Sequence, residues 1–194
     1  MYKWPAPFSQ GYAGMLQFPK QTLKEVSPMN REEAIQEARN FHCPRYHELP
    51  DIGLYLEQVI NVVTSALTPI SLQGNEIITG AMISNYIKNN ALPSPVKKKY
   101  YRQHLCYMIV LGILKQVFTV QQIGQFFQIQ QETYDLQTAY DYFCTEFENA
   151  LREAFDFTGE PLPSLETKRT QQTILVRAMV LAAANRVYVE KVYL

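Results

Sequence analysis

Residues 79–102 read TGAMISNYIKNNALPSPVKKKYYR and carry the chain from one helix to the next. Thr79 is a helix N-cap residue, its hydroxyl suited to accept an orphan backbone N–H of the first turn. The helix it starts runs over 80–90. Its apolar side is Ile83, Tyr86 and Ile87, and Ala81, Ser84, Asn85 and Lys88 share the opposite side. Leu92-Pro93-Ser94-Pro95 ends it, because two prolines so close cannot continue a helix. The basic stretch 97–101 is short and reads as extended. Arg102 opens a helix over 102–118 that is apolar on most sides and therefore central to the core.

Upstream, 51–67 places Ile52, Leu54, Tyr55, Leu56, Val59, Ile60, Val63 and Leu67 on an apolar helical face, with Asp51 as the expected cap. Thr68-Pro69 stops that helix, and Gln73-Gly74-Asn75 marks the loop before Thr79. Asn30 with Glu33 predicts a capped helix through about residue 40. Residues 1–27, rich in Pro, Gly and aromatic rings, read as an irregular arm. Downstream, Thr119 with Gln122 is a second capping box, starting a short helix that buries Ile123, Phe126 and Phe127. Steps of three and four through Leu136, Tyr140, Phe143, Phe147 and Leu151 predict a long amphipathic helix over 131–157 with an acidic outer face. A turn over 159–163 leads to a last helix over 166–193.

Within that last helix, 174–184 is apolar nearly all round, interrupted only by Arg177. Such a helix needs cover on more than one side, and a second copy of the chain is the expected cover. The reading is a mainly α protein. An N-terminal arm and short helix occupy 1–45, a helix-turn-helix domain 46–130, and a C-terminal pair of long helices, for dimerisation or effector response, 131–194.

Composition bounds the class. The 194 residues are 47% hydrophobic and 19% charged, the balance of a soluble globular protein. Three Cys cannot form a disulfide framework and fit a reducing compartment. The first 20 residues lack the form of a signal peptide, and the apolar stretches 105–114 and 174–184 are far shorter than the roughly 20 residues that span a bilayer. A cytoplasmic protein with no membrane association is expected.

Formal net charge is zero, yet the charges are segregated. Between Glu76 and Glu132 there is no acidic residue, while Lys88, Lys97, Lys98, Lys99, Arg102 and Lys115 lie there. Over 131–160 eight acidic residues face only Arg152. A chain charged in this way presents one segment to a polyanion and turns the other away.

Catalytic and metal constellations fail on spacing. His42, Cys43 and His47 form one cluster without the second ligand pair a zinc site needs. His104 and Cys106, two apart on a helix, point in different directions. The glycines Gly11, Gly14, Gly74, Gly80, Gly112 and Gly124 are scattered singly and make no phosphate-cradling loop. No cofactor, no metal and no enzymatic activity are expected.

The order of parts over 76–127 resembles the winged helix-turn-helix of the MerR superfamily, in a form with a much reduced wing. The matching positions are Ile83 and Tyr86, Leu92-Pro93, Tyr100 and Leu105, and Phe118-Thr119 with Ile123. Three stretches are more specific: Leu49-Pro50-Asp51-Ile52-Gly53-Leu54-Tyr55-Leu56-Glu57-Gln58-Val59, Met82-Ile83-Ser84-Asn85-Tyr86-Ile87-Lys88, and Leu92-Pro93-Ser94-Pro95-Val96-Lys97-Lys98-Lys99-Tyr100. They resemble the bacterial domain of unknown function 1836 family over about 49–130. The resemblance implies a small cytosolic regulator with a MerR-like DNA-binding unit.

On that reading Ser84, Asn85 and Lys88 face base edges in the major groove of double-stranded DNA. Lys97, Lys98, Lys99, Tyr100, Tyr101 and Arg102 are expected to clamp phosphates beside them. A homodimer is expected, because one such unit binds weakly. Two other functions stay open. One is a protein-interaction adaptor that keeps the helix-turn-helix shape without DNA. The other is a small-molecule binder using the aromatic residues Tyr134, Tyr140, Tyr142, Phe143 and Phe147.

Overall fold

The computed structural model describes residues 28–156 and 169–194. The expected arm over 1–27 and the turn over 159–163 lie outside the described residues. The described chain forms α1 (Pro28–Arg39), α2 (Leu56–Leu67), α3 (Gly80–Lys88), α4 (Arg102–Leu114), α5 (Val120–Thr133), α6 (Leu136–Phe155) and α7 (Gln171–Tyr193), with short 3-10 turns at Tyr46–Glu48 and Thr68–Ile70. Extended pairing among the described residues is confined to two isolated bridges, Leu54 with Tyr100 and Val96 with Lys99. The protein is mainly α, as its apolar periodicity predicts.

α4 is the centre. Residues 104–114 are all buried, which follows from a sequence apolar on every side of the helix. α2, α5, α6 and α7 all pack on it. At Gly112 the crossing with α2 is so close that a Cβ would lie 2.5 Å from Leu67 Cδ1. α7 runs along α6, and α1 packs on both. Met179, Val180, Ala183, Ala184 and Val187 are buried in that three-helix contact, and the Phe155 and Tyr188 rings meet edge to face at 5.3 Å. Much of the apolar cover that the sequence reading assigned to a second copy is therefore supplied within the protomer.

Four starts differ from expectation, the last helix beginning at Gln171 behind a Thr170 cap rather than at residue 166. The backbone is already helical from Pro28, so Asn30 lies inside α1 rather than capping it. The α2 helix begins at Leu56, not after Asp51, because Leu54 is drawn into extended pairing with Tyr100; the Tyr55 N–H donates to Gln58 Oε1 at 2.9 Å instead. Residues 131–133 belong to α5, which is longer than expected, and Asp135 caps α6 by accepting from the Thr138 N–H at 2.9 Å.

The acidic face of α6 is not wholly outward. Glu146 and Glu148 are buried. Burial of a carboxylate requires a charged partner, and each has one from a distant segment. Arg177, the interruption in the apolar stretch of α7, reaches Glu146 at 3.3 Å and also pairs with Glu153. Arg45 holds Glu148 through two 2.8 Å hydrogen bonds, and the Cys43 N–H donates to the same carboxylate at 2.9 Å. These contacts tie the segment before α2 to the C-terminal helices. None of the helices among the described residues is long and apolar enough to cross a membrane.

Candidate nucleic-acid interface

α3 forms where its sequence places it. Thr79 Oγ1 accepts from the Met82 N–H at 3.1 Å, the N-cap bond that its hydroxyl supplies. Ile83 and Tyr86 are buried against the domain, and Ala81, Ser84, Asn85 and Lys88 are exposed on the other side. The helix ends as the chain turns through Asn90 at φ 55°, and the N–H groups of Ala91 and Leu92 both donate to the Tyr86 carbonyl. Two side chains of the exposed face are tied locally. Ser84 Oγ donates to the Gly80 carbonyl at 2.9 Å, and Asn85 Oδ1 accepts from Asn89 Nδ2 at 3.1 Å. The Asn85 amide nitrogen and the Lys88 ammonium lie on the exposed side.

The basic stretch is a tight hairpin turn rather than a plain extended strand. Val96 and Lys99 exchange backbone hydrogen bonds at 2.9 and 3.0 Å, with Lys97 and Lys98 at the tip. Both tip residues have left-handed backbone, φ 51° and 63°. Positive φ at both central residues marks a type I′ turn, whose favoured residues are Asn and Gly, and a Lys, with its Cβ crowding the following carbonyl, occupies such a position only at a cost. The result is that Lys97 and Lys98 project into solvent as neighbours. Just behind the tip, Leu54 and Tyr100 pair through two 2.8 Å backbone bonds and seat the turn beside the start of α2.

The remaining expected clamps separate. Lys99 is half-buried, its ammonium 5.5 Å from the centre of the Tyr55 ring. Tyr101 is exposed and lies over Gly53, where a Cβ would come within 3.2 Å of its ring. Tyr100, by contrast, is only 7% exposed, and burial raises its phenol pKa; its ring packs in the core and leaves little surface for a phosphate. Arg102, partly exposed, is also engaged by the fold. Its Nε donates to the Leu49 carbonyl at 3.0 Å, the guanidinium stacks 5.2 Å from the Tyr46 ring centre, and Asp51 lies 3.6 Å away. Lys115, the last cation of the acid-free window, donates to the Glu76 carbonyl at 2.7 Å, and burial lowers its pKa.

What remains is Ser84, Asn85 and Lys88 on α3, and Lys97, Lys98, Lys99 and Tyr101 around the turn. The two groups flank one segment, residues 53–56. Gly80 at the start of α3 abuts Leu56, and Lys99 and Tyr101 cover Gly53. Sequence reasoning missed this segment as part of the site, because it appeared as the first turn of a helix. It also missed His104. That buried ring accepts the Tyr101 N–H on Nδ1 at 3.0 Å and meets the Ser94 carbonyl with Nε2 at 3.1 Å, fastening the loop after α3 to the start of α4. His42 faces glutamates, Glu48 at 2.9 Å and Glu148 at 3.3 Å.

A family described as "Domain of unknown function (DUF1836)" matches residues 44–143, just over half of the chain. The match takes in α2 to α5 and the first part of α6, and so includes the whole candidate interface. No curated protein and no solved structure matches the chain.

Proposed function

The chain belongs to the DUF1836 family, and we propose that it is a DNA-binding transcription regulator whose domain works as a MerR-like helix-turn-helix with a minimal wing. α3 enters the major groove, presenting Asn85, Lys88 and Ser84 to base edges, and the turn at Lys97 and Lys98 grips the adjacent backbone. The observation that carries this reading is the left-handed Lys97-Lys98 tip, which holds two exposed ammonium groups in the same family domain as the exposed polar face of α3. A turn that would be more stable with Asn-Gly instead holds two cations out into solvent, which suits a phosphate backbone. A homodimer completes the proposal, since two half-sites give the affinity that one unit lacks. Selection of duplex fragments from random genomic DNA tests it: enrichment of a common half-site, lost with Lys97→Ala/Lys98→Ala, is the expected result.

One observation favours a protein partner instead. Ile52, Tyr55 and Val96 are 65%, 58% and 51% exposed around the same basic turn. Exposed apolar side chains grouped near charge are a feature of protein docking surfaces. An adaptor would bind no duplex at low salt, and Ile52→Asp would abolish its partner binding. A DNA-binding protein would tolerate that substitution with only a modest loss of affinity.

A further inference from the structure

Away from the interface, α4, α5, α6 and the start of α7 line a half-open cavity of about 280 Å³. That is close to the lower end of the roughly 300–1,000 Å³ of small-molecule sites. Aromatic rings form three of its walls: Tyr107 from α4, Phe126 and Phe127 from α5, Tyr140 and Phe143 from α6. Tyr107 and Phe127 meet edge to face at 4.9 Å, so the walls are fixed by packing. Leu175 and Val176 of α7 line the fourth side. Of the aromatic cluster singled out in the sequence, Tyr134, Tyr140, Tyr142 and Phe143 border this space, while Phe147 is in the core.

The lining contains no Asp, Glu, Lys, Arg or His. Several of its polar groups are already engaged with the protein. The Tyr107 hydroxyl donates to Gln130 Oε1 at 3.0 Å and accepts from Gln131 Nε2 at 3.2 Å; Gln130 Nε2 donates to the Tyr134 carbonyl at 2.9 Å. The Tyr140 hydroxyl donates to the Pro44 carbonyl at 2.7 Å, and the Thr133 hydroxyl to the Ile129 carbonyl at 2.7 Å. A charged guest would lose its hydration and gain no counter-charge. A ring-bearing apolar guest would recover the dispersion contacts that the rings otherwise lack on their cavity side.

We propose that this cavity is a binding site for an uncharged, predominantly apolar small molecule carrying one to three rings. The site is independent of the DNA reading. Its walls join α4 to α6 and α7, so an occupant binds the family domain and the C-terminal helix together. At free concentration L it stabilises the fold by RT ln(1 + L/Kd).

N-phenyl-1-naphthylamine, a neutral ring probe that brightens in apolar surroundings, tests the proposal in the absence of DNA. The expected result is saturable uptake of one probe per chain and a raised thermal midpoint. Its anionic counterpart, 8-anilinonaphthalene-1-sulfonate, should bind at least about tenfold more weakly. Val176→Trp, and the gentler Ala139→Leu, fill the space and should each weaken probe uptake by at least about tenfold in a chain that still unfolds cooperatively. Lys97→Ala/Lys98→Ala should take up the probe as the parent does, which separates this site from the proposed DNA surface. Absence of saturable uptake by the parent overturns the proposal, as does undiminished uptake by a folded filling variant or equal affinity for the sulfonate.

Discussion

Leu54 and Tyr100 lie 46 positions apart and exchange two backbone hydrogen bonds of 2.8 Å, one from each N–H. This pairing joins the approach to α2 to the stem of the basic turn, with the Tyr100 side chain buried beneath it. Tyr100 therefore acts on the turn's position. Tyr100→Ala should lower stability by about 3 kcal/mol, as truncation of a buried aromatic ring does. Tyr100→Phe should stay within about 1 kcal/mol of the parent and leave duplex affinity unchanged. Denaturant unfolding and anisotropy titration check the pair.

The turn itself sets stability against charge. Replacing Lys97 by Asn and Lys98 by Gly supplies the residues that the left-handed tip favours. The double variant should gain about 1 kcal/mol in urea unfolding. It should at the same time lose duplex affinity. A gain in both would remove the turn from the interface.

Glu148 provides a pH-dependent test of the packing that holds the domain to the C-terminal helices. Burial raises its carboxyl pKa, but the Arg45 guanidinium and the Cys43 N–H outweigh this, and the net shift is downward. A carboxyl lowered in the folded state contributes stability above its unfolded pKa, about 4.3, and that contribution is lost as pH falls through the folded value. Glu148→Ala should cost about 3 kcal/mol at pH 7, because Arg45 is left without its buried partner. Its remaining stability should fall less steeply than the parent's when the solution is acidified below about pH 4. Unfolding curves at pH 7, 5 and 3.5 measure both effects.

Local chemistry accounts for what the sequence revealed and distance for what it concealed. The two faces of α3, its Thr79 cap and the Thr119–Gln122 box depend on residues within four positions, and each stands where the periodicity puts it. The burial of α4 follows from its composition alone. The unwound approach to α2 does not, since Leu54 is claimed by Tyr100 from across two helices and the loops after them. The burial of Glu146 and Glu148 was concealed in the same way, their cations coming from α7 and from the segment before α2. At the interface, Lys88, Lys97 and Lys98 keep the exposed character that a basic segment suggests, whereas Arg102 and Lys115 are captured by backbone carbonyls that no spacing rule could identify.

On α3, Asn85 is the residue whose amide best matches adenine in the major groove. Asn85→Ala should change preference at one base position, by roughly 1–3 kcal/mol, and leave affinity for unrelated sequences nearly intact. Competition between selected and single-substituted duplexes measures this. The same loss on every duplex would assign Asn85 a role other than base reading.

The central claim is that the lysines of the turn bind phosphate, and the salt dependence of duplex binding tests it most directly. With Tyr100 and Arg102 withdrawn, three lysines remain at the turn, and the log–log slope of affinity against salt should be about −3 per chain. Lys97→Ala/Lys98→Ala should reduce the slope to about −1. An unchanged slope in that variant, or no duplex binding by the parent at low salt, would contradict the account.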